Sequence, residues 1–161
     1  MIEIVRIDGN FGRWHELLAL ITSSFSYMDA VIDPPSSAHR LTPASLSQKA
    51  SEEIAFVAVE DGELLGCVFL RPETDCLYVG KLAVALVQQG RGIGRRLLDV
   101  TEKTAQDLEL SMLRLETRIE LVDNHTTFGR WGFRKTSEKS HPGFDRITFI
   151  EMRKELGRAL S

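Results

Sequence analysis

The stretch Gln88-Gln89-Gly90-Arg91-Gly92-Ile93-Gly94-Arg95-Arg96 carries the strongest chemical pattern in the chain. Its three glycines fall at alternate positions, between an apolar β-branched segment and a long amphipathic one. Glycine tolerates positive φ and lets backbone approach a ligand closely. A helix start offers unpaired N–H groups and the positive end of a dipole. A strand–glycine loop–helix junction is therefore an anion site whose usual guest is phosphate. Arg91, Arg95 and Arg96 add positive charge. The bland alternative is an ordinary glycine-rich turn before a helix. Two familiar phosphate loops are excluded. No Gly-Lys-Ser/Thr follows, as a P-loop needs, and a G-x-G-x-x-G count from Gly90 puts Arg95 where the third glycine belongs.

The elements that must position this loop follow from periodicity. Residues 2–8 read as a strand, and Phe11 to Met28 place apolar residues at helical steps on one face. Residues 29–41, with Pro34-Pro35, read as a loop. Thr42-Pro43 is a helix N-cap followed by proline in the first turn, opening a short helix to about residue 51. Residues 54–60 and 63–70 are strands joined by Asp61-Gly62, a hairpin signal. Residues 71–75 are a turn at which Pro72 stops the strand, and 76–84 is the next strand. A helix begins near Gly92, with Ile93, Leu97, Leu98, Thr101, Ala105 and Leu108 as its buried face. Residues 112–117 form a strand. Residues 124–133 form a short helix with Asn124 near its N-cap and Gly132 as its stop. Residues 133–139 and 145–154 are the last strands. This order predicts an α+β domain on a mixed sheet.

The 161 residues match one domain at ~150 residues per domain, so residues 1–161 are expected to form a single domain. An apolar share of 43% with 27% charged residues excludes wholesale disorder, collagen and coiled coil. A net charge of −3 argues against sequence-independent nucleic-acid binding, which needs a basic face. No apolar run approaches the ~18 residues of a membrane span, and no secretory signal is visible. The expectation is a soluble, cytoplasmic protein. The four histidines show no metal-ligand spacing, so no metal is expected. Cys67 and Cys76 read as small core residues. The turn after residue 70 would set Cys67 opposite about residue 78.

The pattern Q-x-x-G-x-G from Gln89 to Gly94 resembles the acyl-CoA pyrophosphate loop of the GNAT superfamily of N-acetyltransferases. Lys81-Leu82-Ala83-Val84 resembles the end of that family's fourth strand. Asn124, Phe128, Gly132 and Phe133 resemble its later Gly-Phe helix. The resembling motifs fall within residues 76–133, and the element order agrees. The resemblance implies a central mixed, mostly antiparallel sheet with helices on both faces and splayed fourth and fifth strands. The pantetheine arm of acetyl-CoA would lie in the splay. The resemblance assigns Leu82, Ala83 and Val84 to that arm, with the Leu82 N–H polarising the thioester carbonyl. It assigns Gln89, Gly90, Arg91, Gly92, Ile93, Gly94 and Arg95 to the pyrophosphate, and Asn124 to the far side of the arm.

The implied reaction moves an acetyl group from acetyl-CoA to a primary amine by direct attack in a ternary complex. Many family members hold a tyrosine as general acid five residues before the Gly-Phe phenylalanine, where this chain has Phe128. Others place a base four or two residues before the position of Leu82. Here those residues are Tyr78 and Gly80, and strand alternation puts them on one face with Leu82. Tyr78 is the ionisable candidate, an acid rather than a base with an ordinary pKa near 10. A packed aromatic is the alternative for it. Glu116 reads as a strand-end charge, with reach into the splay as the alternative, His125 as a surface residue and Trp131 as packing under the terminal strands. In the family the acceptor side is lined by the segment between the first two helices and by the last hairpin. Here those are Ser36-Ser37-Ala38-His39-Arg40 and His141-Pro142-Gly143-Phe144-Asp145, which assigns His39 and Arg40 to the acceptor, with Arg40 suited to a carboxylate or phosphate and a solvated loop as the alternative. Partners are then a small-molecule or peptide amine, with neither nucleic acid nor membrane, and exposed strand edges allow a homodimer. Two rivals remain at this stage: a non-catalytic CoA-binding or sensing module, and a nucleotide-binding domain.

Overall fold

Asp61 and Gly62 both take positive φ. A two-residue type I′ turn demands this, and it closes β2 (Ile54–Glu60) on β3 (Glu63–Pro72) with Glu60 opposite Glu63. The computed structural model describes residues 1–157. Before this hairpin come β1 (Glu3–Arg6), α1 (Trp14–Phe25) and α2 (Pro43–Glu52). After it come β4 (Leu77–Val84), α3 (Ile93–Asp107), β5 (Met112–Arg118), α4 (Val122–Arg130), β6 (Arg134–Lys139) and β7 (Phe149–Glu155). The α2 start is fixed by a capping box: Thr42 Oγ1 accepts from the Ser45 N–H at 3.0 Å, and Ser45 Oγ accepts from the Thr42 N–H at 2.9 Å.

The strands form one sheet in the order β1-β2-β3-β4-β5-β7-β6, in which β4 and β5 are the parallel pair. Two apolar layers cover it. Leu97, Leu98 and Ala105 of α3 pack with Val68, Leu77, Val79 and Leu113 on one face. Leu17 and Ile21 of α1 and Leu46 of α2 pack with Val57, Cys67 and Phe69 on the other. This is the mixed, mostly antiparallel sheet with helices on both faces that the resemblance implies. No helix among the described residues is long and apolar enough to cross a membrane.

Several local expectations are corrected. Pro72 does not stop β3 early; it is the strand's last residue, opposite Leu77, and the turn is Glu73–Cys76. A proline at a strand end forfeits no needed ladder bond. The hairpin therefore closes later than expected, and Cys67 pairs with Ala83 rather than with residue 78. The first helix is shorter than 11–28, with residues 26–28 tightening into a 3₁₀ turn. The 29–41 segment contains a second 3₁₀ turn at Ser37–Arg40. Leu108 ends α3 in solvent rather than on its buried face. Trp131 packs on the core cluster that includes Ile150 and Met152 and also reaches α3, where a Cβ on Gly94 would sit 3.1 Å from its ring.

Candidate active site

The strands β4 and β5 pair only at Leu77 with Leu113 and Tyr78 with Arg114. Both then run on, to Val84 and Arg118, without further pairing. The β4 edge beyond Tyr78 thus faces a gap with its peptide groups unpaired on that side. An unpaired strand edge is a template for an extended chain that carries amides.

A bulge in β4 shapes the gap. Phe69 pairs with Gly80 but Cys67 with Ala83, so Lys81 and Leu82 together oppose Val68. Lys81 takes a φ of 48°, rare for a residue with a side chain. One extra residue reverses the in–out alternation. Leu77, Val79, Leu82 and Val84 therefore belong to the α3 side, and Ala83 to the α1 side. Tyr78, Gly80 and Lys81 face the α1 side. The expected single face for Tyr78, Gly80 and Leu82 is corrected accordingly. A bulge leaves no mark in the sequence alternation, since Lys81 is compatible with either face.

Above the gap stands the glycine loop. Gly90 and Gly92 have φ of 86° and 77°, and a Cβ at either would meet nothing within 4 Å. They are needed for backbone conformation, with open space in front of them. Gly92 is the N-cap of α3. Among the described residues, the backbone amides from Gly90 to Arg95 reach no acceptor, and helix bonding begins with Arg96 N–H to Gly92 O at 3.1 Å. The loop arginines are not the free charges that the sequence reading expects. Arg91 donates to Gln88 at 2.6 Å and Glu60 at 3.0 Å, Arg95 pairs with Asp99 at 3.2 Å, and Arg96 donates to the Ile2 carbonyl at 2.7 Å. The positive potential here comes from amides and helix dipole.

Below the loop the gap opens into a cavity of about 840 Å³. Tyr78, Leu82, Asn124, His39 and Arg40 all line it. Ala83 is buried at 3% exposure on the far face, so its side chain does not. Asn124 is the third residue of α4, in its first turn, because the helix starts at Val122 behind the N-cap Leu121, earlier than expected. Phe128 also lines the cavity, edge-on to Trp131 and Phe133. His39 is spent on Asp29 at 2.7 Å. His125 is not a free surface residue; its ring nitrogen meets the Arg118 carbonyl at 2.9 Å.

Tyr78 lies between two guanidinium groups, with Arg71 of β3 at 4.7 Å and Arg114 of β5 at 4.5 Å from its ring centre. Its ring passes over Gly80, where a Cβ would come within 3.3 Å of Cε1. Gly80 thus supplies room for the ring. The hydroxyl makes no hydrogen bond among the described residues. Burial, and then the Glu116 carboxylate, push its pKa up against the two arginines, so it remains a proton donor. Arg114, only 11% exposed, forks onto Glu73 at 2.9 and 3.0 Å and lies 3.4 Å from Glu116.

This network has a pH signature. The Arg114 hydrogen bonds lower the Glu73 pKa to about 2. Burial works against the Glu151 charge, but the Thr136 hydroxyl at 2.7 Å and Arg153 at 2.9 Å outweigh it and bring Glu151 also to about 2. Folded values below the ordinary 4.5 mean stabilisation present above pH 4.5 and lost as pH falls from there toward 2. The urea midpoint is expected to drop across that window, and Glu73→Gln is expected to flatten the drop. A flat wild-type profile would show that these carboxylates contribute nothing.

The cavity also holds Glu116 and His141, and two residues to which sequence reasoning gave no role there, Lys81 and Arg118. Arg118 donates to the carbonyls of Pro34 at 2.7 Å and Pro35 at 3.1 Å, tying the 29–41 segment to the end of β5. No sequence signal links residues so far apart.

A sheet parted after one short parallel pairing, followed by a helix that begins with free amides, offers room for an extended chain beside donors for an anion. The sequence pattern of the acetyltransferase (GNAT) family matches residues 14–133. The chain belongs to that family. Its fold is also similar to three solved structures. The "IAA acetyltransferase" of Bacillus cereus has a TM-score of 0.67 at 22% identity, over 97% of this chain and 100% of that one. A GNAT family acetyltransferase from Elizabethkingia anophelis with acetyl-CoA bound has 0.68 at 20%, over 96% and 98%. The ribosomal-protein-S18-alanine N-acetyltransferase of Escherichia coli has 0.72 at 17%, over 100% and 99%.

Proposed function

We propose that the protein is an acyl-CoA-dependent N-acetyltransferase that moves an acetyl group from acetyl-CoA to a primary amine in a ternary complex. The observation that carries this reading is the unpaired β4 edge lying beneath the free amides at the start of α3. The amides of residues 90–95 receive the diphosphate, and the pantetheine arm runs down the gap with its own amides beside Leu82 and Val84. The Leu82 N–H meets the thioester carbonyl, where negative charge grows in the transition state. Asn124 and Phe128 close the α4 side of the arm.

The amine lone pair attacks the carbonyl carbon, a C–N bond forms, and the oxyanion collapses with loss of the C–S pair to the thiolate. Holding the two reactants together supplies ~7–11 kcal/mol of the barrier, so strong acid–base groups are not obligatory. Phe128 has no proton to give. Tyr78, with a free hydroxyl in the cavity, gives one to the leaving sulfur, and water takes the proton from the amine.

The test is calorimetry with acetyl-CoA and coenzyme A, followed by thiol release against an amine panel. Binding with amine-dependent thiol release is expected. No heat with either ligand would sink the reading, and binding without release on any amine would make the protein a CoA-holding module.

A further inference from the structure

The charges of the cavity are not evenly satisfied. His39 is held by Asp29, Arg118 is spent on two proline carbonyls, and Glu116 lies by Arg114 at 3.4 Å and Lys139 at 3.7 Å. Lys81 and Arg40 are different. Lys81 Nζ makes one polar contact among the described residues, to Ser37 Oγ at 3.2 Å, and Arg40 pairs with no carboxylate there. A chain of net charge −3 thus keeps two cations without a carboxylate partner in this cavity.

These cations do not serve the diphosphate. The free amides belong to α3, which packs on the Leu82 and Val84 face of the sheet. Lys81 is turned by the bulge to the opposite face, toward the Ser37–Arg40 turn that packs with α1. We infer that the acceptor is an amine that also carries an anionic group, carboxylate or phosphate, received by Lys81, Ser37 and Arg40. This inference rests on the acetyltransferase reading. Two cations and a hydroxyl on converging backbone segments match either anion through charge-assisted hydrogen bonds. Burial, and then the nearby Lys49 ammonium, lower the pKa of Lys81, and a bound anion would oppose both effects.

Matched amines test this under saturating acetyl-CoA: amino acids against their α-amides, and phosphoethanolamine against ethanolamine, read by thiol release. The anionic member of at least one pair is expected to have a kcat/KM about 10- to 100-fold higher, the value of one charge-assisted hydrogen bond. Which pair does so distinguishes carboxylate from phosphate. Lys81→Met is expected to erase that preference and Lys81→Arg to retain most of it. Arg40→Ala, on an exposed turn, is expected to raise KM for the anionic amine, and the Kd of acetyl-CoA reports folding in each variant. Equal use of neutral partners overturns the inference. So does a preference that survives Lys81→Met, or no turnover of any anionic amine by a protein that binds acetyl-CoA. Failure to bind acetyl-CoA instead removes the underlying reading.

Discussion

Gly92→Val is expected to weaken acetyl-CoA binding by about 10- to 100-fold, the equivalent of losing one charge-assisted hydrogen bond of ~1.5–3 kcal/mol. Gly92 caps α3 at a φ of 77°. A β-branched residue resists that conformation at a cost of ~1–2 kcal/mol, so the loop will shift toward negative φ. The shift misaims the amides that precede and open the helix, and the branched side chain occupies the space in front of them. Folding suffers less, because a Cβ at this position would touch nothing within 4 Å. At ~2–4 °C per kcal/mol for a domain of this size, a loss of a few degrees in Tm is expected. Calorimetry and a melting curve on the same sample check both numbers. An unchanged dissociation constant would show that the diphosphate does not lie on this loop.

Tyr78→Phe is expected to lower kcat about 10²-fold or more, the low end of what a positioned general acid contributes. The ring remains, with its stacking on Arg71 and Arg114, so stability and the Kd of acetyl-CoA are expected to hold. The pH profile adds a second readout. An acid works only while protonated, and the Tyr78 pKa is raised above its ordinary value of 10 by burial and by Glu116. Wild-type turnover should therefore be sustained through neutral pH and fall only above about 10. The variant should lack that fall. Full activity in Tyr78→Phe would reduce the residue to a stacked aromatic between two guanidinium groups and leave proton delivery to water.

The sequence was most informative where chemistry is carried by backbone. The glycine loop, its place between a strand and a helix, and the Gly-Phe ending of α4 are all local, so residue type and spacing suffice. The order of elements and the mixed α+β class followed for the same reason, from hairpin turns such as Asp61-Gly62 and from amphipathic crossovers. Side-chain roles fared worse. The loop arginines were read as ligand charges, yet Arg91 is held by Glu60 from β2 and Arg96 by the Ile2 carbonyl. Lys81 was passed over as a motif residue, and only the bulge shows which way it points.

Local sequence, then, determined that a strand, an open glycine turn and a helix N-terminus meet, because hydrophobic period and glycine placement act over a few residues. Only the folded chain decided that β4 and β5 part after two pairs, that Tyr78 sits between guanidiniums from two other strands, and that Lys81 turns toward Ser37. Each of these depends on one extra residue in a ladder or on groups dozens of positions apart. The free energy that selects them comes from packing and charge pairing between elements, which no single segment contains.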